Sequence, residues 1–436
     1  MQKVKVIGGG LAGCEVAYYL ATHGIKVELY DIKPNKFTPA HKSTKFGELV
    51  CSNSLKSNDV YGNASGLMKE EMRLLGSLIV ESGDKNRVPA GNALAVDRER
   101  FAEYITDKVS SLENVTIISK EITKINPDEY TIIATGPLTT DELSSSIRQL
   151  VGDGLSFYDA SAPIIDFNSI DMENAFFGDR YGKGDADHVN CPMNKEQYLE
   201  FIHELTNAEC ATLHDFEKTE VFEGCMPIEI MASRGVDTLR FGPLKPAGLD
   251  DPKTGRWPYA CLQLRKEDAS GSMYNMVGFQ TNLKWGEQKR VFSIIPALKN
   301  AEYLRYGVMH KNTFINSTKV LNDDYSLKTN EKIYFAGQIT GVEGYVESAG
   351  SGLLVAIYLE RKLKGKKPIK ISEKTVLGSL TKYITTENPN FQPMNANFGI
   401  LPPLDSIIRD KSERKRQMAE RSLKLIKEFI MENEND

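Results

Sequence analysis

The sequence predicts an α/β fold: a Rossmann-like dinucleotide-binding domain interrupted by an inserted α+β domain. Three observations carry this. The chain opens on a strand, a glycine turn, a helix and a second strand. A further strand–glycine–helix unit follows much later. The stretch between them is rich in turn residues: Gly178, Gly182, Gly184, Pro192, Gly242, Pro243, Pro246, Gly248 and Pro252. At 436 residues the chain is too long for one small core, so two domains are expected. The boundaries suggested are 1–175 for the first part of the nucleotide domain, 176–300 for the insertion, and 301–436 for the second part with a basic C-terminal helix.

The opening element is KVKVIGGGLAGCEVAYYLATHGIKVELYD. Val4, Val6 and Ile7 read as a short buried strand. Leu11, Val16, Ala17, Leu20 and Ala21 then line a helix that stops at Gly24, and a strand from Ile25 to Tyr30 ends in Asp31. In the turn Gly8-Gly9-Gly10-Leu11-Ala12-Gly13, Gly8 permits the tight bend, Gly10 lets backbone approach a pyrophosphate, and Gly13 lets helix and strand pack closely. The free N–H groups of the helix N-terminus suit the phosphates, and Asp31 suits ribose hydroxyls. Further on, a strand Tyr130–Ala134 leads to Thr135 and Gly136. A strand Ile333–Ala336 leads to Gly337, Gln338, Gly341 and Gly344, and to a helix from about Ser348 with its N-terminus near Gly350 and Gly352. A strand–glycine–helix unit returning to the first domain is how many FAD proteins close over the flavin, so FAD is the expected dinucleotide. The chain has a single G-x-G-x-x-G. A second nicotinamide domain is therefore not expected, and any NADH or NADPH is a transient visitor.

Composition narrows the class. The formal charge is −5, so nucleic-acid binding has to come from local basic patches. The six cysteines, Cys14, Cys51, Cys191, Cys210, Cys225 and Cys261, form no C-x-x-C pair, which argues against a zinc site or a dithiol redox motif. With no secretory leader before the first strand and no bilayer-length apolar run, a reduced cytoplasmic protein is expected. The tail reads as an amphipathic helix with Met418, Leu425, Ile426 and Phe429 on its apolar face. Arg409, Lys411, Arg414, Lys415 and Arg416 cluster at its start, as either an RNA contact or a solvated surface.

The stretch FEGCMPIEIMASRG, from Phe222 to Gly235, sets Cys225 on a loop after a glycine. Taken alone, such a thiol is either a small buried hydrophobe or a nucleophile. Together with GELVCSNSLKS around Cys51, it belongs to a set of long strings: TPAHKSTKFGELVCSNSLKS, MKEEMRLLGSLI, TLRFGPLKPAGL, VGFQTNLKWGEQKRVF, RYGVMHKNTFINS, FAGQITGVEGYVESAGSGLL and NFQPMNANFGILPPL. These strings run nearly end to end. Through them the chain closely resembles the bacterial folate- and FAD-dependent tRNA (uracil-5-)-methyltransferases, which make ribothymidine in the tRNA T-loop.

The resemblance implies that 5,10-methylenetetrahydrofolate donates the carbon, FAD supplies electrons and NADH or NADPH restores them. It implies Cys51 near the flavin and Cys225 as the thiol that adds to uracil, and it sets Tyr345 where an aromatic ring suits the folate pterin. Some close relatives act on ribosomal RNA, so rRNA stands beside tRNA as substrate. The chemistry fits the residues. Carbon 5 of uracil is a poor nucleophile until a thiolate adds at carbon 6, and a base must later take the carbon 5 proton. Cys51, Glu343 and Glu347 are candidates for that base. Lys284, Arg234, Arg240, Lys245, Lys289 and Arg290 are candidate phosphate contacts, and Trp285, Phe279 and Tyr259 candidate stacking rings; each is equally readable as core or solvated face.

Overall fold

The computed structural model of the protein describes residues 3–152, 155–160, 162–182, 186–211, 226–266, 271–307, 309–388, 391 and 393–434. The first part runs β1 (Lys3–Ile7), α1 (Leu11–Thr22), β2 (Lys26–Asp31), β3 (Ser54–Ser57), α2 (Ala64–Leu74), α3 (Leu78–Lys85), β4 (Arg87–Val88), β5 (Ala93–Val96), α4 (Arg98–Ser110), β6 (Val115–Ser119), β7 (Thr131–Ile133), α5 (Asp141–Val151) and β8 (Leu155–Ala160). The middle part runs β9 (Ile164–Asp166), β10 (Phe176–Phe177), β11 (Val189–Met193), α6 (Lys195–Asn207), α7 (Ile228–Ser233), α8 (Thr238–Phe241), β12 (Ala260–Lys266), β13 (Met273–Met276), α9 (Trp285–Phe292) and β14 (Tyr303–Arg305). The return consists of β15 (Met309–Phe314), α10 (Ser317–Val320), β16 (Ser326–Leu327), β17 (Asn330–Phe335), α11 (Tyr345–Leu363), α12 (Val376–Thr385) and α13 (Lys411–Glu434).

The main sheet has the order β16–β17–β7–β1–β2–β6, parallel except at the β16 edge. Its central strands are apolar on both faces, as a sheet covered by helices requires: Val4, Val6, Ile132 and Ile133 are all inaccessible to solvent. The sheet is completed only when β17 returns beside β7, with Tyr334 opposite Ile132, so this domain is discontinuous in sequence. Helix α11 runs through its middle. Leu353, Leu354, Val355 and Leu359 are fully buried, each contributing about 1.5–3 kcal/mol of apolar burial. It crosses α1 closely because a Cβ at Gly352 would stand 2.5 Å from the Ala12 carbonyl oxygen. The helix begins at Tyr345, capped by Gly344 at φ 127°, and not near Ser348 as the residue pattern suggested. Gly350 and Gly352 therefore serve helix packing and not a helix N-terminus.

The second sheet is antiparallel, β10–β11–β12–β13–β9–β14, with α6, α7 and α9 over one apolar core that includes Ile165, Phe201, Phe279, Phe292 and Ala301. Strands β9 and β14 pair with each other and belong to this sheet, although both lie outside 176–300. The turn-rich stretch used to mark the insertion begins after β9, so composition set the boundary inside the unit. Between the two sheets the chain passes out along β8 and back along β15, which pair antiparallel from Met309 opposite Ala160 to Phe314 opposite Leu155. No helix of the described residues is long and apolar enough to cross a membrane.

Candidate active site

The carboxyl ends of β1 and β7 and the start of α1 open into a cleft of about 1140 Å³. Parallel sheets place ligands at this edge. Of the residues expected to hold a dinucleotide, Gly8, Gly9, Gly10, Leu11, Ala12, Asp31, Thr135, Gly136, Gly337, Gln338 and Tyr345 line it. The glycines divide the work. A Cβ on Gly8 would stand 2.5 Å from the Ala134 carbonyl oxygen, and one on Gly13 only 1.9 Å from that of Gly8, so both are needed for packing. A Cβ on Gly10 would meet nothing within 4 Å: this is space the protein leaves open at a helix N-terminus, which suits a pyrophosphate. Asp31 accepts from the Gly9 N–H at 2.7 Å and the Lys33 N–H at 2.8 Å, which holds the turn to β2 and leaves lone pairs for a ribose. Gly337, at φ 82°, donates its N–H to Ser351. Gly341 and Gly344 lie outside the cleft lining. Gly341 sits under Phe391, and Gly344 caps α11.

One wall of the cleft was not singled out from the sequence. Thr38, His41 and Glu48 come from the loop after β2. Glu48 accepts from the Lys42 and Ser43 N–H groups and so shapes the loop. His41 lies within 2.6 Å of the Thr38 hydroxyl, and burial lowers its pKa, which favours neutral imidazole. Nothing in the residue order marked this loop beyond its place in the family-like string TPAHKSTKFGELV.

At the mouth of the cleft lies the loop carrying Cys51, and its fixation is unusual. The Cys51 and Ser52 N–H groups both donate to the Tyr345 hydroxyl, at 2.7 and 3.2 Å. Three arginines from three elements hold the rest. Arg98, at the start of α4, donates to the Leu49 and Cys51 carbonyls; Arg265, on β12, to the Ser52 hydroxyl and Asn53; Arg305, on β14, to the Val50 carbonyl. Hydrogen bonds from charged donors contribute about 1.5–3 kcal/mol each. Two of these arginines belong to the second sheet, so that sheet grips the Cys51 loop directly. Tyr345 is thereby engaged through its hydroxyl, and burial raises its pKa, keeping the phenol neutral.

The cysteines sort by environment. Cys14, Cys191 and Cys261 are buried, and desolvation raises all three thiols, Cys261 to about 12, so they are inert packing residues. Cys51 is half-buried and follows Val50, which lines the cleft. Cys225 lies outside the described residues. The candidate bases are not surface carboxylates. Glu343 is 8% and Glu347 1% exposed. Glu343 accepts from Gln338, while Glu347 is bound by Lys56 and the Ala396 N–H.

The suggested RNA contacts are corrected in part. Phe279 is wholly buried among Phe201 and Phe292 and cannot stack on a base. Tyr259 is covered by the Arg240 guanidinium at 3.8 Å. In the tail, Lys415 donates to the Gly62 carbonyl; Arg414 and Arg416 are both exposed, but Arg416 pairs with Glu413 and Glu420 whereas Arg414 has no carboxylate partner among the described residues. Lys284 pairs with Glu209 on the surface. Trp285 stays 63% exposed.

Known proteins share much of this sequence and its fold. The family model described as "Glucose inhibited division protein A" matches residues 3–367. A protein of Acetivibrio thermocellus named methylenetetrahydrofolate–tRNA-(uracil-5-)-methyltransferase TrmFO is 55% identical over 429 residues, 98% of each chain. Proteins of that name from Listeria innocua and Staphylococcus aureus are 57% and 55% identical, covering 98% of this chain and 98% and 99% of theirs. Among solved structures, Aquifex aeolicus GidA in its form I crystal superposes with a TM-score of 0.70 at 17% identity, covering 98% of this chain and 78% of that one, a likeness of fold.

Proposed function

The chain belongs to the glucose-inhibited division protein A family and to its methylenetetrahydrofolate–tRNA-(uracil-5-)-methyltransferase relatives, and on that premise we propose that it methylates carbon 5 of a tRNA uridine, the T-loop position giving ribothymidine. The observation that carries the reading is the glycine-lined dinucleotide cleft with the Cys51 loop clamped at its mouth.

FAD fits the cleft. The open side of Gly10 and the α1 N-terminus would receive the pyrophosphate, Asp31 the ribose, and Thr135, Gly136, Gly337 and Gln338 the remainder. When bound, FAD supplies the two electrons that turn a methylene into a methyl group. The nicotinamide nucleotide that replenishes those electrons visits the cleft transiently, because the chain has one dinucleotide fingerprint.

The residues of the chain divide the remaining steps. The Cys225 thiolate adds to carbon 6 of uracil, and the resulting enolate attacks the one-carbon unit of methylenetetrahydrofolate through carbon 5. The carbon 5 proton then passes to a base as the bond from the methylene to the folate nitrogen breaks, which releases tetrahydrofolate and leaves an exocyclic methylene on carbon 5. Cys51 is our candidate: it follows Val50, which lines the cleft, and its N–H and carbonyl are held by Tyr345 and Arg98, whereas the Glu347 carboxylate is already engaged by Lys56 and the Ala396 N–H. After reduction, loss of the Cys225 thiolate restores the ring. The uridine has to leave its stack to reach the cleft, at about a few kcal/mol.

The test supplies reductant, labelled methylenetetrahydrofolate and separate tRNA and rRNA transcripts, and maps the label. Label in tRNA at the T-loop uridine is expected; label only in rRNA, or none, overturns the reading. Cys225→Ala should bind FAD and RNA yet make no product, and RNA carrying 5-fluorouracil should trap an adduct on Cys225. An adduct on Cys51 would reverse the two roles.

A further inference from the structure

We propose that Trp285 is a stacking platform for a nucleobase of the RNA substrate, presented on a rigid pile of three aromatic rings; this rests on the RNA-methylation reading above. The Trp285 ring lies parallel to Tyr306, with centroids 5.5 Å apart and planes 11° apart, and Tyr306 lies parallel to Tyr303 at 5.0 Å and 8°. The lower ring is anchored in β14. The upper ring opens to solvent, with Trp285 63% exposed. Its neighbour supports it from below, so an arriving base meets a flat, pre-ordered π face, and such faces bind bases with little regard to sequence. The other tryptophan, Trp257, is also exposed, but among the described residues no ring stacks on it.

The position fits the chemistry. The stretch bearing Cys225 is flanked by residues that both dock just before Trp285: Ala211 donates its N–H to the Asn282 carbonyl, and Ile228 donates to that of Gln280, each at 2.8 Å. On the other side, Arg305 adjoins Tyr306 and donates to the Val50 carbonyl, next to Cys51. The pile therefore stands between the anchors of the two cysteine-bearing segments. Lys289, on the same helix, is exposed and has no carboxylate partner among the described residues, which suits a phosphate. The pairs of Lys284 with Glu209 and of Arg290 with Glu204 and Glu287 are surface ion pairs, weak enough to exchange for phosphate.

The sequence contains two tryptophans, so Trp257→Phe leaves Trp285 as the single indole reporter. Titrating this FAD-bound variant with a T-arm stem-loop transcript should change Trp285 emission saturably, along the same curve as filter binding. Trp285→Ala should weaken RNA binding and raise KM by about 5- to 150-fold, the range expected for one stacked base, with flavin content unchanged. Trp285→Phe should recover most of that loss. Unchanged emission at saturating RNA in an enzyme that still methylates overturns the platform alone. So does a Trp285→Ala protein that melts earlier yet keeps the wild-type KM, since Trp285 is then only a cover over Tyr306. A wild type that binds and methylates no RNA overturns the functional reading and the platform with it.

Discussion

Glu71 offers a sharp test of how burial and hydrogen bonding balance in this fold. It sits wholly buried on α2 and accepts from the Val376 and Leu377 N–H groups, at 2.8 and 2.9 Å, and from the Ser422 hydroxyl. One carboxyl thus caps α12 and ties α13 to α2. Three donors favour the ion, but desolvation outweighs them and raises its pKa to about 7 from the ordinary 4.5. The sign follows. Below about pH 4.5 the carboxyl is protonated whether the chain is folded or not. From there to about pH 7 the unfolded chain ionises while the folded one keeps its proton, so stability falls with rising pH. At about 1.4 kcal/mol per pH unit the loss is roughly 3 kcal/mol, and it levels off above pH 7. Glu71→Gln does not titrate. It leaves one α12 N–H facing an amide NH₂, a cost of about 1–3 kcal/mol. In urea unfolding followed by circular dichroism, the variant should be the less stable protein near pH 5, and the gap should close or invert near pH 8. Glu15, raised to about 7 in the same way, is present in both proteins and cancels. A stability difference that stays constant across this range would mean that the folded carboxyl is ionised and that the three donors win.

Two further outcomes concern the glycines. Gly10→Val has room for its side chain, so it should melt like the wild-type apoprotein and yet purify colourless; full flavin occupancy would move the pyrophosphate elsewhere. Gly352→Ala drives a methyl into the Ala12 carbonyl and should cost about 1–3 kcal/mol in a thermal melt; wild-type stability would show that α1 and α11 separate freely.

The nucleotide end was legible because phosphate chemistry demands glycine at fixed spacing, and spacing is a sequence property. The Cys51 clamp was not. Arg98, Arg265 and Arg305 reach the loop across 47, 213 and 255 residues, and nothing in a sequence distinguishes an arginine aimed at a carbonyl from one aimed at water. Glu15 and Glu71 sit in helices where a carboxylate ordinarily faces solvent, so their burial was invisible. VGFQTNLKWGEQKRVF holds both Phe279, inaccessible in the core, and Trp285, open to solvent; apolar character alone ranked them together. The start of α11 was misplaced because its cap is a left-handed glycine followed by an aromatic, a weaker signal than the run of small residues downstream.

The β8–β15 ribbon gives the second sheet a further property. Ala160 and Met309 face each other across the pair, so the chain leaves and re-enters at one spot. An excursion whose ends already touch adds little closure entropy to the folding of the main sheet, however long it is. It can also be shortened, lengthened or exchanged without rethreading the strands around the nucleotide. The ribbon is the natural splice point of this architecture, but the excursion also carries Arg265 and Arg305, so whatever is exchanged there has to keep their grip on the Cys51 loop.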